Sequence, residues 1–504
     1  MARARHPRCF WAECAAAGWL LALAGPRLTA GHDPNDYRPP QFPDAENHLK
    51  VPFLAPERDW ERLDIYVPKN APGDRLPCVV LFYGGGWGGK VTHGAGEMRA
   101  LLGRGYVVAL PDYVLGATDP VPAAVWDGAA AIRFLRAHAA KYRIDPERIG
   151  AWGLSAGGWL IQYLAPSDSS SVLALRPKGG RQAVYVPMLE PRPLYPDPSA
   201  KVQAFVSDWG AGRLAAAHVV GWPAWITADD PPLHTCHDDP SGAVPPGPQK
   251  LLDVGVPVEV ACVQAKSTHV PNPERTPARA PDGGTITYRE HIHRFLDRYV
   301  KHPTHATPPE MVPQGGPIAG ETRVAIRSVH AGAAIHYTTD GSDPTPASPT
   351  YGGPVRVGPG DTLKAIAVKA GLGPSRVAAA VFTPASAPPP AITTPERALS
   401  ARRGQPFSFT FQARSDRPVQ WYVLGKTALV RVAKTNPPRP APPGRSPAPP
   451  WRSPAPWMAM DPAAGTLSGT PDAAGVCPII VVANARDGQT VLWDAVAVVI
   501  TVGD

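Results

Sequence analysis

Cysteine is scarce in this chain, with six in 504 residues. The four beyond the first thirty residues, Cys78, Cys236, Cys262 and Cys477, follow no C-x-x-C spacing. That excludes a cysteine metal or redox motif and a disulfide-built scaffold, and leaves open a Cys236–Cys262 bridge in an oxidising compartment. Blocks of Lys and Arg are also missing. The net charge of +8 is spread along the chain, so it reads as a solvated surface and no nucleic-acid footprint is expected. Beyond the N-terminal segment no run is long and apolar enough to span a membrane.

What is present points to several globular domains. The hydrophobic fraction is 44%, and a chain of 504 residues exceeds one ordinary core, so about two to four domains are expected. The 65 prolines and 48 glycines suffice for linkers and inserts without wholesale disorder. At the start, M-A-R-A-R-H-P-R is basic and Cys14 to Ala24 is a short apolar run, with small residues at Ala22 and Ala24 or at Thr29 and Ala30. This order predicts a signal peptide over residues 1–30 and a secreted protein, extracellular, cell-surface or periplasmic. Glu13 keeps a frayed N-terminal helix as the alternative, and no lipobox precedes Cys14.

From about Arg62 to Lys301, strand-like and helical runs alternate. The runs at 76–83, 105–111, 148–153, 202–207, 223–228 and 256–263 are short, β-branched or aromatic, and unalternating, as in strands buried on both faces of a parallel sheet. Between the second and third, Val125, Ala129, Ile132, Leu135 and Ala139 recur at helical spacing, with Arg133, Arg136 and Lys141 outside that stripe. After Lys301 come short strands with turn signals, which predict two small β-sandwiches over 303–384 and 392–504. A Pro-rich linker at 385–391 joins them, and a Pro-rich insert at 436–456 interrupts the second.

Within the first region, G-L-S-A-G places Ser155 between a strand ending near Trp152 and a helix starting at Ala156. The glycines at 153 and 157 suit a sharp strand-to-helix corner that presents a nucleophilic hydroxyl, although a turn needing small residues gives the same letters. The run L-F-Y-G-G-G-W (81–87) follows a buried strand. Backbone N–H groups of Gly85 and Gly86, with that of Ala156, are the candidate oxyanion donors. Tyr83 and Trp87 are candidate substrate contacts.

A serine nucleophile needs a base and an orienting carboxylate. Asp230 and His269 supply them in the order Ser, Asp, His, each at the carboxyl end of an expected parallel strand, where ligand sites of open α/β sheets form. Asp229, Asp238 and Asp239 are rival acids. His234 and His237 are rival bases, or with Asp238 a metal site, and read more simply as surface-loop residues. His291 and His293 read as structural. No metal or organic cofactor is required.

The motifs P-D-Y-V-L (111–115), P-A-A-V-W-D-G-A-A-A-I-R-F-L (122–135), D-P-E-R-I-G (145–150) and G-L-S-A-G-G together resemble the secreted carboxylesterases of the α/β-hydrolase fold. The nearest groups are the esterases similar to hormone-sensitive lipase and the feruloyl or acetyl-xylan esterase-like group. The resemblance covers roughly residues 45–302 and implies a mostly parallel sheet with helices on both faces. It also implies a triad of Ser155, Asp230 and His269. Two departures stand out: Tyr83 replaces the His of the usual H-G-G-G, so that its hydroxyl either anchors the loop or reaches the substrate, and S-T-H-V replaces the common G-G-H-G.

I-H-Y-T-T-D-G-S-D-P-T-P-A-S-P-T-Y-G-G-P-V (335–355) is similar to the chitobiase C-terminal β-sandwich, and the tail from M-D-P-A-A-G-T-L-S-G-T-P (460–471) to the last strand resembles a bacterial immunoglobulin-like domain. Such appendages imply an acetyl or feruloyl ester carried on a polysaccharide, with glycan contact by the β domains. A prolyl-oligopeptidase-like peptidase is the alternative within enzymes, with no propeller-like repeat preceding the hydrolase region to support it. An inactive, glycan-binding surface protein is the alternative outside them.

Overall fold

The computed structural model describes residues 38–504 apart from 55–61, 86–89, 91–93, 115–121, 169–170, 176–183, 192, 209–225, 238–245, 263–276, 280–283, 426–427, 430–456, 473 and 489. The expected leader at 1–30 and the insert at 436–456 therefore lie outside the described residues.

The first region runs β1 (Ala45–Pro52), β2 (Arg62–Pro68), β3 (Leu76–Phe82), α1 (Ala95–Gly103), β4 (Val107–Pro111), α2 (Ala123–Ala137), β5 (Ile144–Leu154) and α3 (Ala156–Leu164). It continues through β6 (Val172–Leu175), β7 (Val184–Pro187), β8 (Phe205–Asp208), β9 (Leu233–His237), α4 (Pro246–Asp253), β10 (Val258–Cys262) and α5 (Tyr288–Leu296). Eight strands form one sheet in the order β1-β2-β4-β3-β5-β8-β9-β10. From β4 to β10 every pairing is parallel, and β1 and β2 add an antiparallel edge.

The unalternating apolar run of β3 is explained by its burial at every position. Val80 and Phe82 face the cluster built with Ala129, Ile132, Leu160 and Ile161 of α2 and α3, whereas Val79 and Leu81 face Met98, Leu101, Ile292 and Phe295 of α1 and α5. Side chains alternate across a strand, so a strand covered on both faces must be apolar throughout. The α2 stripe is buried as expected, but Arg133 is buried too. The Arg136 guanidinium caps the carbonyls of Pro146, Ser199 and Lys201. Polypeptide therefore covers α2 on more than its sheet-facing side.

One expected strand is misplaced. The run 223–228 is not a strand where it is described: residues 228–230 form a turn, and the strand is β9, three residues further on. The letters L-H-T-C-H hide that strand, because His234 and Thr235 are polar yet wholly buried.

After the helix α5, strands Glu310–Val312, Thr322–Arg327 and Val355–Val357 form one sheet. Strands Gly315–Ile318, Ala334–Thr338, Thr362–Val368 and Ala378–Pro384 form a second sheet. Their apolar residues share one core, including Met311, Val324, Leu363 and Phe382. Residues 391–503 make the second sandwich, dominated by the long hairpin Gly475–Asp487 and Thr490–Gly503. Cys78, Cys236 and Cys477 are free buried thiols. In the β9–β10 register Cys236 stands level with Ala261, and its thiol is free, contrary to the expected bridge.

All the described residues belong to one compact unit, and both sandwiches bond to the α/β region. The outer face of the second, at Leu424, Ile480, Val482 and Ala495, meets Trp126 and Val186. The Asn484 side chain there accepts from the Tyr185 N–H at 3.0 Å and donates to the Tyr185 carbonyl at 2.9 Å. From the first sandwich, His330 reaches Glu147 at 3.0 Å and Arg327 donates to the Pro196 carbonyl at 2.8 Å.

Candidate active site

Ser155 has φ 51° and ψ −111°, a region that costs a non-glycine residue on the order of 1–3 kcal/mol. The surroundings enforce it. Its N–H donates to the Asp208 carbonyl at 2.9 Å, and its own carbonyl accepts from Trp159 at 3.0 Å. The flanking glycines are steric requirements: a Cβ on Gly153 would sit 2.1 Å from the Gly157 oxygen, and one on Gly157 would sit 2.2 Å from the Phe82 oxygen. Strand and helix approach too closely at this corner for a side chain on either glycine, and Ser155 between them stands at the carboxyl edge of the sheet, partly exposed.

The loop after β3 adjoins this corner. A Cβ on Gly84 would lie 2.9 Å from the Leu154 oxygen and 3.1 Å from the Ser155 Cβ. Gly85 has φ 122°, a backbone conformation reserved for glycine. The Ala156 N–H is the first of α3 and has no carbonyl one turn back to bond, which leaves it available at the corner. Gly86 and Trp87 lie outside the described residues, as does His269.

Of the two roles open to Tyr83, its surroundings show the anchor. The side chain is 1% exposed, its hydroxyl donates to the Tyr113 carbonyl at 3.2 Å, and the Tyr113 hydroxyl donates to the Tyr83 carbonyl at 2.5 Å. The loop after β3 is thereby tied to the segment after β4. Lys90, paired with Asp112 at 2.6 Å, lies over the Tyr83 ring.

Asp230 requires a correction. It precedes β9 and so stands at the amino end of the strands, whereas Ser155 follows β5 at the carboxyl end. The register sets Ala151 level with Phe205 and Phe205 level with Leu233, so the two residues are separated by about seven residue rises, on the order of 20 Å. Its carboxylate accepts from the Thr227 N–H at 2.9 Å, and burial followed by the Asp229 charge pushes its pKa well above the usual carboxylate range. Asp229 is taken up by Lys201 and by Thr227. The remaining candidates, Asp238 and Asp239, follow the last residue of β9 directly in sequence and lie outside the described residues.

His234 is also corrected. It is a buried residue of β9, with Nε2 2.8 Å from Nδ1 of His291, and burial with the neighbouring imidazole holds its pKa well below the ordinary value. His293 bonds Glu97 at 2.9 Å. Among the described residues no group of three or more His, Cys, Asp or Glu side chains could hold a metal ion.

Asp208 was not foreseen. Its carbonyl holds Ser155, while its buried carboxylate accepts from Trp152 Nε1 at 2.8 Å and from the Tyr288 hydroxyl. Burial is the largest influence on it and raises its pKa to about 7. The available signal was an acid closing a buried strand, V-S-D, one place along the sheet from the corner serine.

Two known domain families match the chain: BD-FAE over residues 63–182 and the chitobiase/beta-hexosaminidase C-terminal domain over residues 313–379. Carboxylesterase NlhH of Mycobacterium tuberculosis is 41% identical over 94 residues, 18% of this chain and 30% of that protein. Esterase LipI of the same organism is 35% identical over 104 residues, 20% of this chain and 32% of that protein. The chain thus spans about a third of the length of these curated relatives. Among solved structures, a truncated carbohydrate esterase from gut microbiota is similar at 21% identity and a TM-score of 0.36, covering 43% of this chain and 86% of the other. The chain carries a BD-FAE domain of the α/β-hydrolase esterase type at residues 63–182, followed by a chitobiase-type C-terminal domain at residues 313–379.

Proposed function

We propose that this protein is a secreted serine carboxylesterase that removes acyl groups, acetyl or feruloyl, from polysaccharide. The observation that carries the reading is the forced backbone of Ser155 at the carboxyl edge, beside a glycine loop that also needs glycine there. The Ser155 hydroxyl attacks the ester carbonyl, and His269 takes its proton and returns it to the leaving alcohol. N–H groups of Gly85, Gly86 and Ala156 stabilise the oxyanion, and water then releases the acid from the acyl-enzyme. The acid of the triad is assigned to the Asp238–Asp239 pair, which follows a strand whose carboxyl end lies along the same edge as Ser155.

The BD-FAE match and the partial similarity to proteins named as carboxylesterase and esterase support ester hydrolysis. The basic and apolar N-terminal segment supports secretion, and among the described residues no helix is long and apolar enough to cross a membrane. The chitobiase-type domain supports a glycan-borne ester. The test is hydrolysis of p-nitrophenyl acetate by the wild type and by Ser155→Ala, beside a panel of acyl-aryl esters and peptide anilides. Loss of ester turnover by several orders of magnitude in the variant is expected. Equal rates, or peptide cleavage without ester turnover, would overturn the reading.

A further inference from the structure

The second sandwich presents its outer sheet face to the α/β region, but only part of that face is covered. Along strand Val419–Gly425 and strand Gly475–Asp487, residues Trp421, Val423, Ile479, Val481 and Ala483 fill the sandwich core, while Leu424, Ile480 and Val482 pack on the α/β region. The same face continues beyond the contact as a depression of about 190 Å³ lined by Pro418, Gln420, Tyr422, Asn484, Arg486 and Val491.

The chemistry of this depression is specific. Pro418, Val491 and the Tyr422 ring supply apolar surface. The Tyr422 hydroxyl donates to Gln420 Oε1 at 2.8 Å, which leaves the Gln420 amide hydrogens for a ligand. Arg486 is exposed, lines the same depression as Tyr422, and has no ion pair among the described residues. Asn484 forms one wall and is itself pinned to the Tyr185 backbone. An aromatic and apolar floor suits the C–H face of a sugar ring, an amide suits its hydroxyls, and a planar guanidinium suits a carboxylate.

The position of the depression matters as well. The sandwich borders Val114 and Trp126, which lie just beyond β4 and in the first turn of α2, at the edge of the sheet that Ser155 shares. Gln420 lies four residues along its strand from Leu424, roughly 13 Å, and Leu424 packs with Trp126 at that edge.

We propose that this depression is a subsite for a hexuronate residue of an acidic polysaccharide, which holds the polymer while an ester on a nearby sugar reaches Ser155. The proposal rests on the polysaccharide reading of the substrate given above. The full-length protein is titrated with glucuronoxylan and with unsubstituted xylan by affinity electrophoresis, with thermal melts to confirm folding. The wild type is expected to prefer glucuronoxylan, and Arg486→Ala to bind it at least tenfold more weakly. Tyr422→Ala is expected to weaken binding as well, and added salt to reduce the preference. Ser155→Ala is expected to bind as the wild type does, which separates the failure of this subsite from the failure of the esterase reading. No wild-type binding, equal binding of the two xylans, undiminished binding by Arg486→Ala, or equally tight binding of a sulfated glucan would each overturn it.

Discussion

Tyr83 and Tyr113 stack with ring centroids 4.3 Å apart and planes 14° from parallel, and each hydroxyl donates to the carbonyl of the other residue. The loop that follows β3 is held by this reciprocal pair in place of a histidine. Tyr113→Phe removes the hydroxyl that donates to the buried Tyr83 carbonyl, so stability is expected to fall by about 1–3 kcal/mol. Ester turnover should fall through kcat, by less than the roughly 10²–10³-fold that removal of an oxyanion donor costs. Thermal denaturation and steady-state kinetics check both expectations for this variant and for Tyr83→Phe. A change confined to KM in Tyr83→Phe would place that hydroxyl on the substrate instead.

Ser155 stores backbone strain that a glycine would release. Ser155→Gly is expected to raise stability by on the order of 1 kcal/mol relative to Ser155→Ala while both lose ester turnover. Paired thermal melts decide it. Equal melting temperatures would mean that the corner does not strain its central residue.

The acid of the site can be located by charge removal at fixed shape. Asp230→Asn, at the amino end of the sheet, is expected to keep ester turnover within a few-fold of the wild type. Asn at whichever of Asp238 and Asp239 orients the base is expected to lose about 10⁴-fold in kcat. Steady-state kinetics on the three variants provides the measurement, and a collapse in Asp230→Asn alone would restore the original assignment.

Asp208 titrates near pH 7 because burial disfavours its charge. A carboxyl with a raised folded-state pKa binds more protons folded than unfolded, so its contribution to stability falls as pH rises from about 4 to about 7 and is level above that. Asp208→Asn is expected to remove this slope, by an amount on the order of a few kcal/mol. Denaturant midpoints across that range, compared between wild type and variant, report it. His234 acts in the opposite sense in both proteins: held neutral by burial, it costs stability as pH falls through the ordinary histidine range.

The strand-to-helix corner at Ser155 is readable from sequence because its constraints are nearly local. Gly153 and Gly157 are demanded by contacts among β3, β5 and α3, and the apolar run of β3 records burial on both faces. The position of Asp230 is not legible in the sequence, for a tertiary reason. β9 contains His234, whose burial is made tolerable by His291, 57 residues later, so a strand passed for a loop and Asp230 for a strand end.

The sequence alone determined the serine at its corner and the adjoining glycine loop, since short-range sterics and strand burial leave a direct imprint on residue type. Tertiary structure alone decided which end of the sheet Asp230 occupies, that Tyr83 spends its hydroxyl on Tyr113, and that the second sandwich is seated on Trp126. Each of these depends on partners distant in the chain, and the side chains that make them are ordinary until the fold brings them together.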